Sequence, residues 1–210
     1  MDRWKNKIVI NSAKTIPADS GDHIVFVFIV CINLDEMATR NYTIRNADPS
    51  EFEEIGRLMV TVYSQLDGFP KENEQPDYFR ALANVGAFST KPDTSLLVAV
   101  SEENKIAGAL VYFDDMIYYG SGGTATKEKN SSGFRLLAVD PSARGEGVGR
   151  MLAGECVRRA REKGHQALII HTTMAVQIAW RMYENMGFKR SADLDFKQGD
   201  FQVYGFRLSL

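Results

Sequence analysis

The sequence predicts a mixed α/β domain built in layers, and three observations carry that expectation. Apolar segments with strand and helix periods alternate along the chain from Tyr42 onward, the pattern of helices laid over a sheet. Gly and Pro punctuate the segments at Asp67-Gly68-Phe69-Pro70, Gly86, Gly164 and Gly187, where helices are expected to stop. Of 210 residues, 44% are hydrophobic and 25% charged, the make-up of one globular domain rather than of a disordered, fibrous or membrane chain.

Residues 1–36 stand apart and are read as an N-terminal extension, with the domain proper spanning 37–210 and Met37 as its functional start. The extension has a polar, lysine-containing beginning, a turn cluster from Pro17 to Asp22, and an apolar run from Ile24 to Leu34. That run is too short for a membrane span, which needs about 20 residues. Asp2, Asp19 and Asp22 precede it and no small-residue cleavage site follows, which argues against a secretory leader.

Tyr42-Thr43-Ile44-Arg45 reads as an edge strand. A helix follows, capped by Asp48 or Ser50, with Phe52, Ile55, Leu58, Met59, Val62 and Leu66 recurring at three and four. A shorter helix runs from Asp77 through Phe79, Leu82 and Val85 to Gly86. Ser95–Val100 and Ile106–Phe113 form a hairpin across a short polar link. Asp114–Ser132 is a long polar connection, a length at which loops are usually functional or mobile. Phe134–Val139 is a strand, Asp140–Gly147 a turn, and Val148–Lys163 a helix with Val148, Met151, Leu152, Cys156 and Ala160 on one face. Ala167–Ile170, a helix over Ala175–Met186 and a final strand Phe201–Leu208 complete the pattern.

A net charge of −2 leaves no basic footprint for nucleic acid or an anionic membrane. A small molecule or a protein is the expected partner, and a homodimer is compatible with the composition. Cys31 and Cys156 are far apart and His23, His165 and His171 share no ligand spacing, so neither a disulfide framework nor a metal site is expected and a reducing cytoplasm is the default. Cys156 reads as a buried small hydrophobe.

The chemistry concentrates in Leu136-Leu137-Ala138-Val139-Asp140-Pro141-Ser142-Ala143-Arg144-Gly145-Glu146-Gly147-Val148-Gly149-Arg150. Three alternating glycines at a helix start clear side chains from unpaired backbone N–H groups, so an anion can approach the main chain. The helix dipole favours negative charge there, and Arg144 and Arg150 add cations. A Walker loop is absent, and the G-x-G-x-G spacing does not fit a dinucleotide fingerprint. The plainer reading of the glycines is a turn that packs helix against strand.

Val139-Asp140-Pro141 followed by R-x-x-G-x-G from Arg144 to Gly149 resembles motif A of the GNAT superfamily of N-acetyltransferases. Ala179-Trp180-Arg181-Met182-Tyr183-Glu184-Asn185-Met186-Gly187-Phe188 resembles motif B of the same superfamily, of the A-x-x-x-Y-x-x-x-G-F type. The resemblance covers about Tyr42 to Leu210. It implies a GNAT-like acyl-CoA N-acyltransferase fold, with a central, mostly antiparallel sheet and helices on both faces. It also implies acetyl-CoA as cosubstrate, with the backbone of Leu137, Ala138 and Val139 on the pantetheine arm and that of Arg144, Gly145, Glu146, Gly147, Val148 and Gly149 around the pyrophosphate. Tyr183 matches the family tyrosine beside the CoA sulfur and is the candidate general acid. The family often has Asn seven residues before this tyrosine; Val176 stands there, with Gln177 beside it.

The implied reaction is direct transfer of acetyl to a primary amine of a small molecule or protein. A lysine-like amine is less than about 0.1% neutral at pH 7, so a base helps. Asp114, Asp115 and His171 are the weak candidates, each explicable as a loop charge or cap. The acceptor is expected to enter opposite the cofactor, between the first helical hairpin and the Asp114–Ser132 loop. A non-catalytic acyl-CoA-binding or regulatory module on the same fold is the alternative.

Overall fold

The computed structural model describes residues 41–120 and 122–210. The expectations for residues 1–36, including Cys31, the Ile24–Leu34 run and the start at Met37, lie outside the described residues.

The domain is a mixed sheet covered on both faces. Strands β1 (Tyr42–Asn46), β2 (Thr94–Ser101), β3 (Ile106–Phe113), β4 (Ser131–Val139), β5 (Ala167–Thr172), β6 (Lys189–Arg190), β7 (Phe196–Gln198) and β8 (Phe201–Ser209) alternate with helices α1 (Phe52–Ser64), α2 (Pro76–Ala83), α3 (Val148–Glu162) and α4 (Gln177–Asn185). The strand order is β1-β2-β3-β4-β5-β8-β6, with β7 paired to β8 alone. Among the described residues, only β4 and β5 run parallel; every other pair is antiparallel. β1 is an edge, as the sequence predicts.

Period-two alternation divides the sheet residues between two cores. Leu96, Val98, Val100, Ala109, Val111 and Phe113 face α1 and α2, where they meet Ile55, Met59, Phe79 and Leu82. Leu97, Ala99, Leu110, Tyr112, Leu168 and Ile170 face α3 and α4, where they meet Leu152, Cys156 and Tyr183. Each fully buried large side chain contributes about 1.5–3 kcal/mol, so both faces are needed to hold the layers. Cys156 is fully buried, and burial pushes its thiol up, consistent with a packing role.

Local chemistry sets the element ends. Asp48 accepts Ser50 N–H at 2.9 Å while Glu51 accepts Asp48 N–H at 2.7 Å, a reciprocal cap that starts a 3₁₀ turn leading into α1. The 114–130 segment is not featureless: it folds into 3₁₀ turns at Met116–Tyr118 and Ala125–Lys127. β4 begins at Ser131 rather than Phe134, because the polar Ser131 and Ser132 are buried and pair with β5.

Candidate active site

The strands β4 and β5 pair only from Ser131↔Ala167 to Phe134↔Ile170. Beyond that point each keeps its other neighbour: β4 continues along β3 as far as Val139↔Gly108, and β5 along β8 as far as Thr172↔Tyr204. The sheet therefore splits into a wedge whose inner edges present backbone groups with no strand partner.

A bulge lies where β4 leaves β5. Ala109 pairs Ala138 and Val111 pairs Arg135, so β4 spends two residues where β3 spends one. Leu136, inside the bulge, has φ +58°. Leucine in that region is strained by about 1–3 kcal/mol, and such strain clusters at functional sites. The bulge turns the backbone of Leu136 and Leu137 toward the cleft, which both residues line.

Behind the wedge sits the glycine loop. Gly145 and Gly147 have φ +82° and +83°, and a Cβ on either would meet no protein atom within 4 Å. Gly147 caps α3 without any side-chain bond, and the first helical bond runs from Met151 N–H to Gly147 O at 3.0 Å. The N–H groups of Val148, Gly149 and Arg150 thus have no carbonyl to reach within the helix. A Cβ on Gly108 of β3 would lie 2.8 Å from Ala138 O and 2.9 Å from Val148 Cγ1. Only glycine lets the α3 start settle this close to β4. Glu146, the one acid in the loop, accepts the Tyr42 hydroxyl of β1. Arg144 and Arg150 are exposed and form no ion pair among the described residues. The loop fits a pyrophosphate: it is bare of side chains where N–H groups converge and is flanked by cations.

Tyr183 of α4 is 4% exposed and lines the cleft. Its ring packs edge-on to Phe134 at 5.8 Å and Phe188 at 5.7 Å. Its hydroxyl makes no hydrogen bond among the described residues. Burial raises its pKa well above the ordinary tyrosine value, so the group stays protonated at neutral pH.

The three base candidates part company. Asp114 accepts from Tyr112 at 3.1 Å and pairs with His165 and Lys163, each at 3.2 Å, away from the cleft; these donors outweigh its burial and hold its pKa below the usual carboxylate range. Asp115 accepts Ile117 N–H at 2.9 Å, a turn cap. His171 lines the cleft, but its Nδ1 lies 3.1 Å from the Tyr119 hydroxyl and its Nε2 2.9 Å from Leu194 O. Burial lowers its pKa to about 4. It is therefore a neutral ring, donating from Nε2 and accepting at Nδ1.

The cleft holds about 860 Å³ of space, mouth included. One wall comes from the α1–α2 region through Tyr63, Phe69 and Tyr78, as expected for the first helical hairpin. The opposite wall is not the Asp114–Ser132 loop but the β7–β8 hairpin, through Phe196, Gln198, Phe201 and Val203. The sequence carries its signal, since Phe196-Lys197-Gln198-Gly199-Asp200-Phe201 is two short runs around a Gly-Asp turn, with Gly199 at φ +61°. Thr173, just past the end of β5, also lines the cleft, and its buried Oγ1 has no partner among the described residues. Val176 lines the cleft as an apolar residue while Gln177 is exposed. Among the described residues, no cluster of His, Cys, Asp and Glu could hold a metal ion, and no helix is long and apolar enough to cross a membrane.

Comparison with known proteins agrees with this geometry. A family model described as the acetyltransferase (GNAT) family matches residues 58–188. The N-acetylaspartate synthetase of Danio rerio is 21% identical over 114 residues, 54% of this chain and 36% of that protein. A mycothiol acetyltransferase of Thermomonospora curvata is 37% identical over 57 residues, 27% of this chain and 19% of that protein. The matches thus span 36% or less of these curated relatives. Among solved structures, an acetyltransferase of the GNAT family from Staphylococcus aureus Mu50 superposes with a TM-score of 0.61 at 18% identity, covering 80% of this chain and 100% of that one. The Salmonella typhimurium protein yncA, solved with its cofactor acetyl-CoA, superposes with a TM-score of 0.56 at 17% identity, covering 80% of this chain and 94% of that one.

Proposed function

Because the chain belongs to the acetyltransferase (GNAT) family, whose model covers residues 58–188, we propose that it transfers acetyl from acetyl-CoA directly to a primary amine. The β4–β5 wedge receives the pantetheine arm along the backbone of Leu137, Ala138 and Val139. The loop of Arg144, Gly145, Glu146, Gly147, Val148 and Gly149 holds the pyrophosphate through its open N–H groups.

Acetyl-CoA supplies the acyl carbon and a thiolate leaving group. The amine nitrogen bonds to that carbon as the carbon–sulfur bond breaks, and the Tyr183 Oη proton passes to the departing sulfur. The proton released by the amine leaves through water and restores Tyr183. With Asp114 and Asp115 engaged elsewhere and His171 neutral and doubly bonded, an amine that arrives already neutral, or a water chain to bulk, takes the role of the base.

The observation that carries this reading is the Tyr183 hydroxyl, without a hydrogen-bond partner among the described residues, on the wall of a cleft that opens where two parallel strands separate; its burial favours the protonated form. Calorimetry with acetyl-CoA, joined to CoA release against a panel of primary amines, is the test. Binding followed by amine-dependent release is expected. Binding without release against any amine would identify an acyl-CoA-binding module instead.

A further inference from the structure

Among the described residues, the cleft is lined by one charged side chain, Arg135 of β4, and by no carboxylate. Its Nη1 donates to Tyr119 O at 2.9 Å and to Gly120 O at 2.8 Å, and the guanidinium carbon lies 5.6 Å from the Tyr119 ring centroid. These bonds fix the guanidinium plane and leave Nε and Nη2 without a hydrogen-bond partner among the described residues. No described carboxylate lies within ion-pair distance. The positive charge reaches the rest of the cleft, since it favours the ionised forms of Tyr63 and Tyr78 and the neutral form of His171.

Lys91 stands outside the cleft lining, over the Phe88 ring at 5.1 Å, and so does not share this site. A positive charge on the cleft wall with no described counterion suits an anion. A half-buried guanidinium with a free edge suits a planar one, because its N–H fork matches a carboxylate. Around it, Tyr63, Phe69, Tyr78 and Phe201 form an edge-to-face aromatic wall, with Phe69 5.5 Å from Tyr63 and 5.7 Å from Phe201. A polycationic amine would find no acid here and would be repelled by Arg135.

We propose that the acceptor is an amine bearing a carboxylate and an apolar side group, an amino acid or short peptide, with Arg135 holding the carboxylate; this rests on the acetyl-transfer reading above. Arg135 is then a specificity-determining residue, and the aromatic wall takes the side group.

The experiment compares the apolar L-amino acids and their dipeptides with the corresponding amides in CoA-release assays, on wild type, Arg135→Gln and Arg135→Lys. Wild type is expected to prefer at least one acid over its amide by about 10- to 100-fold in kcat/KM, the worth of a charge-assisted hydrogen bond. Arg135→Gln should bring that ratio close to one with acetyl-CoA affinity unchanged, while Arg135→Lys keeps part of it. Free amino acids and dipeptides form separate arms, so the source of the carboxylate is read directly. Equal turnover of acids and amides, no turnover of either with acetyl-CoA bound, or an unchanged ratio in Arg135→Gln would overturn the proposal and leave the cofactor site standing. If Arg135→Gln does not fold, the drop in ratio for Arg135→Lys decides the matter. Should acetyl-CoA not bind, the transfer reading falls alone; melting temperatures with N-acetyl-L-phenylalanine, N-acetyl-L-leucine and their amides then decide the carboxylate claim. Stabilisation by the acids but not the amides, lost in Arg135→Gln, supports it, and no such difference sinks it.

Discussion

The Tyr119 hydroxyl sits 3.1 Å from Nδ1 of His171, and the other nitrogen of that ring faces Leu194 O at 2.9 Å. Protonating the ring would consume the Nδ1 lone pair that the hydroxyl now donates to and turn that hydroxyl toward Phe134 O, 3.4 Å away, but the larger cost is charge in a site where burial disfavours it. The unfolded chain, with histidine near 6.5, takes up this proton first, so stability is lost as the pH falls from about 6.5 toward 4. At pH 5 this single group removes about 2 kcal/mol. Denaturant titrations at pH 7.5 and 5 should show a smaller acid loss in His171→Gln than in wild type. Equal losses would mean the ring titrates normally.

Tyr183→Phe keeps both ring contacts and removes only the hydroxyl. Because that hydroxyl has no bond to lose among the described residues, melting temperature and acetyl-CoA affinity should hold. Turnover should fall by about 10²- to 10⁴-fold, the range for general acid catalysis. An unchanged kcat, with the chemical step limiting, removes Tyr183 from the mechanism.

Gly147→Leu tests the phosphate cradle, but φ +83° means that any side chain also brings strain. Gly164, at the far end of α3, supplies the control, with φ +76° and open space around its own Cβ position. Both leucine variants should lose about 1–2 kcal/mol of stability. Only the Gly147 variant should lose acetyl-CoA affinity in calorimetry; equal affinities would abandon the loop as the site.

Thr173→Val tests the orphaned hydroxyl on the cleft wall. Removing a buried, unpaired oxygen should leave the melting temperature of the free protein unchanged or raised, since such groups cost about 1–3 kcal/mol. Acetyl-CoA or acceptor binding should weaken at the same time. A variant that binds both as wild type does would show that Thr173 contacts neither.

A chain starting at Met37 should bind acetyl-CoA with wild-type affinity, because the proposed cofactor groups and, among the described residues, the cleft lining lie from Tyr63 onward. A large fall in melting temperature on this truncation would instead place the Ile24–Leu34 run in the core.

The elements that the sequence reveals are those whose ends are written in local chemistry. Asp48 announces the turn that leads into α1, and Gly164 ends α3. The glycine loop and Tyr183 stand out in the sequence through the two motifs, which place them at the start of α3 and on α4. What escapes is tertiary. Leucine gives no hint of a left-handed backbone, so the bulge at Leu136 is visible only once β3 is alongside. Ser131 and Ser132 look like loop because their burial depends on β5, nearly forty residues on. Arg135 reads as an ordinary strand residue until the Tyr119 and Gly120 carbonyls are seen to pin it.

Among the described residues, four pairs, from Ser131↔Ala167 to Phe134↔Ile170, are all the direct pairing that joins the two halves of the sheet. The molecule has a seam there, and its proposed cosubstrate would bridge it as a strut between two strand edges. A ligand that binds only the folded chain raises stability by an amount set by its free concentration over its dissociation constant, about 2.7 kcal/mol at a hundredfold excess. Amide exchange along Leu136–Val139 and His171–Thr172 should then slow on acetyl-CoA binding before any other part of the sheet responds. Supply of acetyl-CoA would in that case govern how long the protein lasts as well as how fast it works.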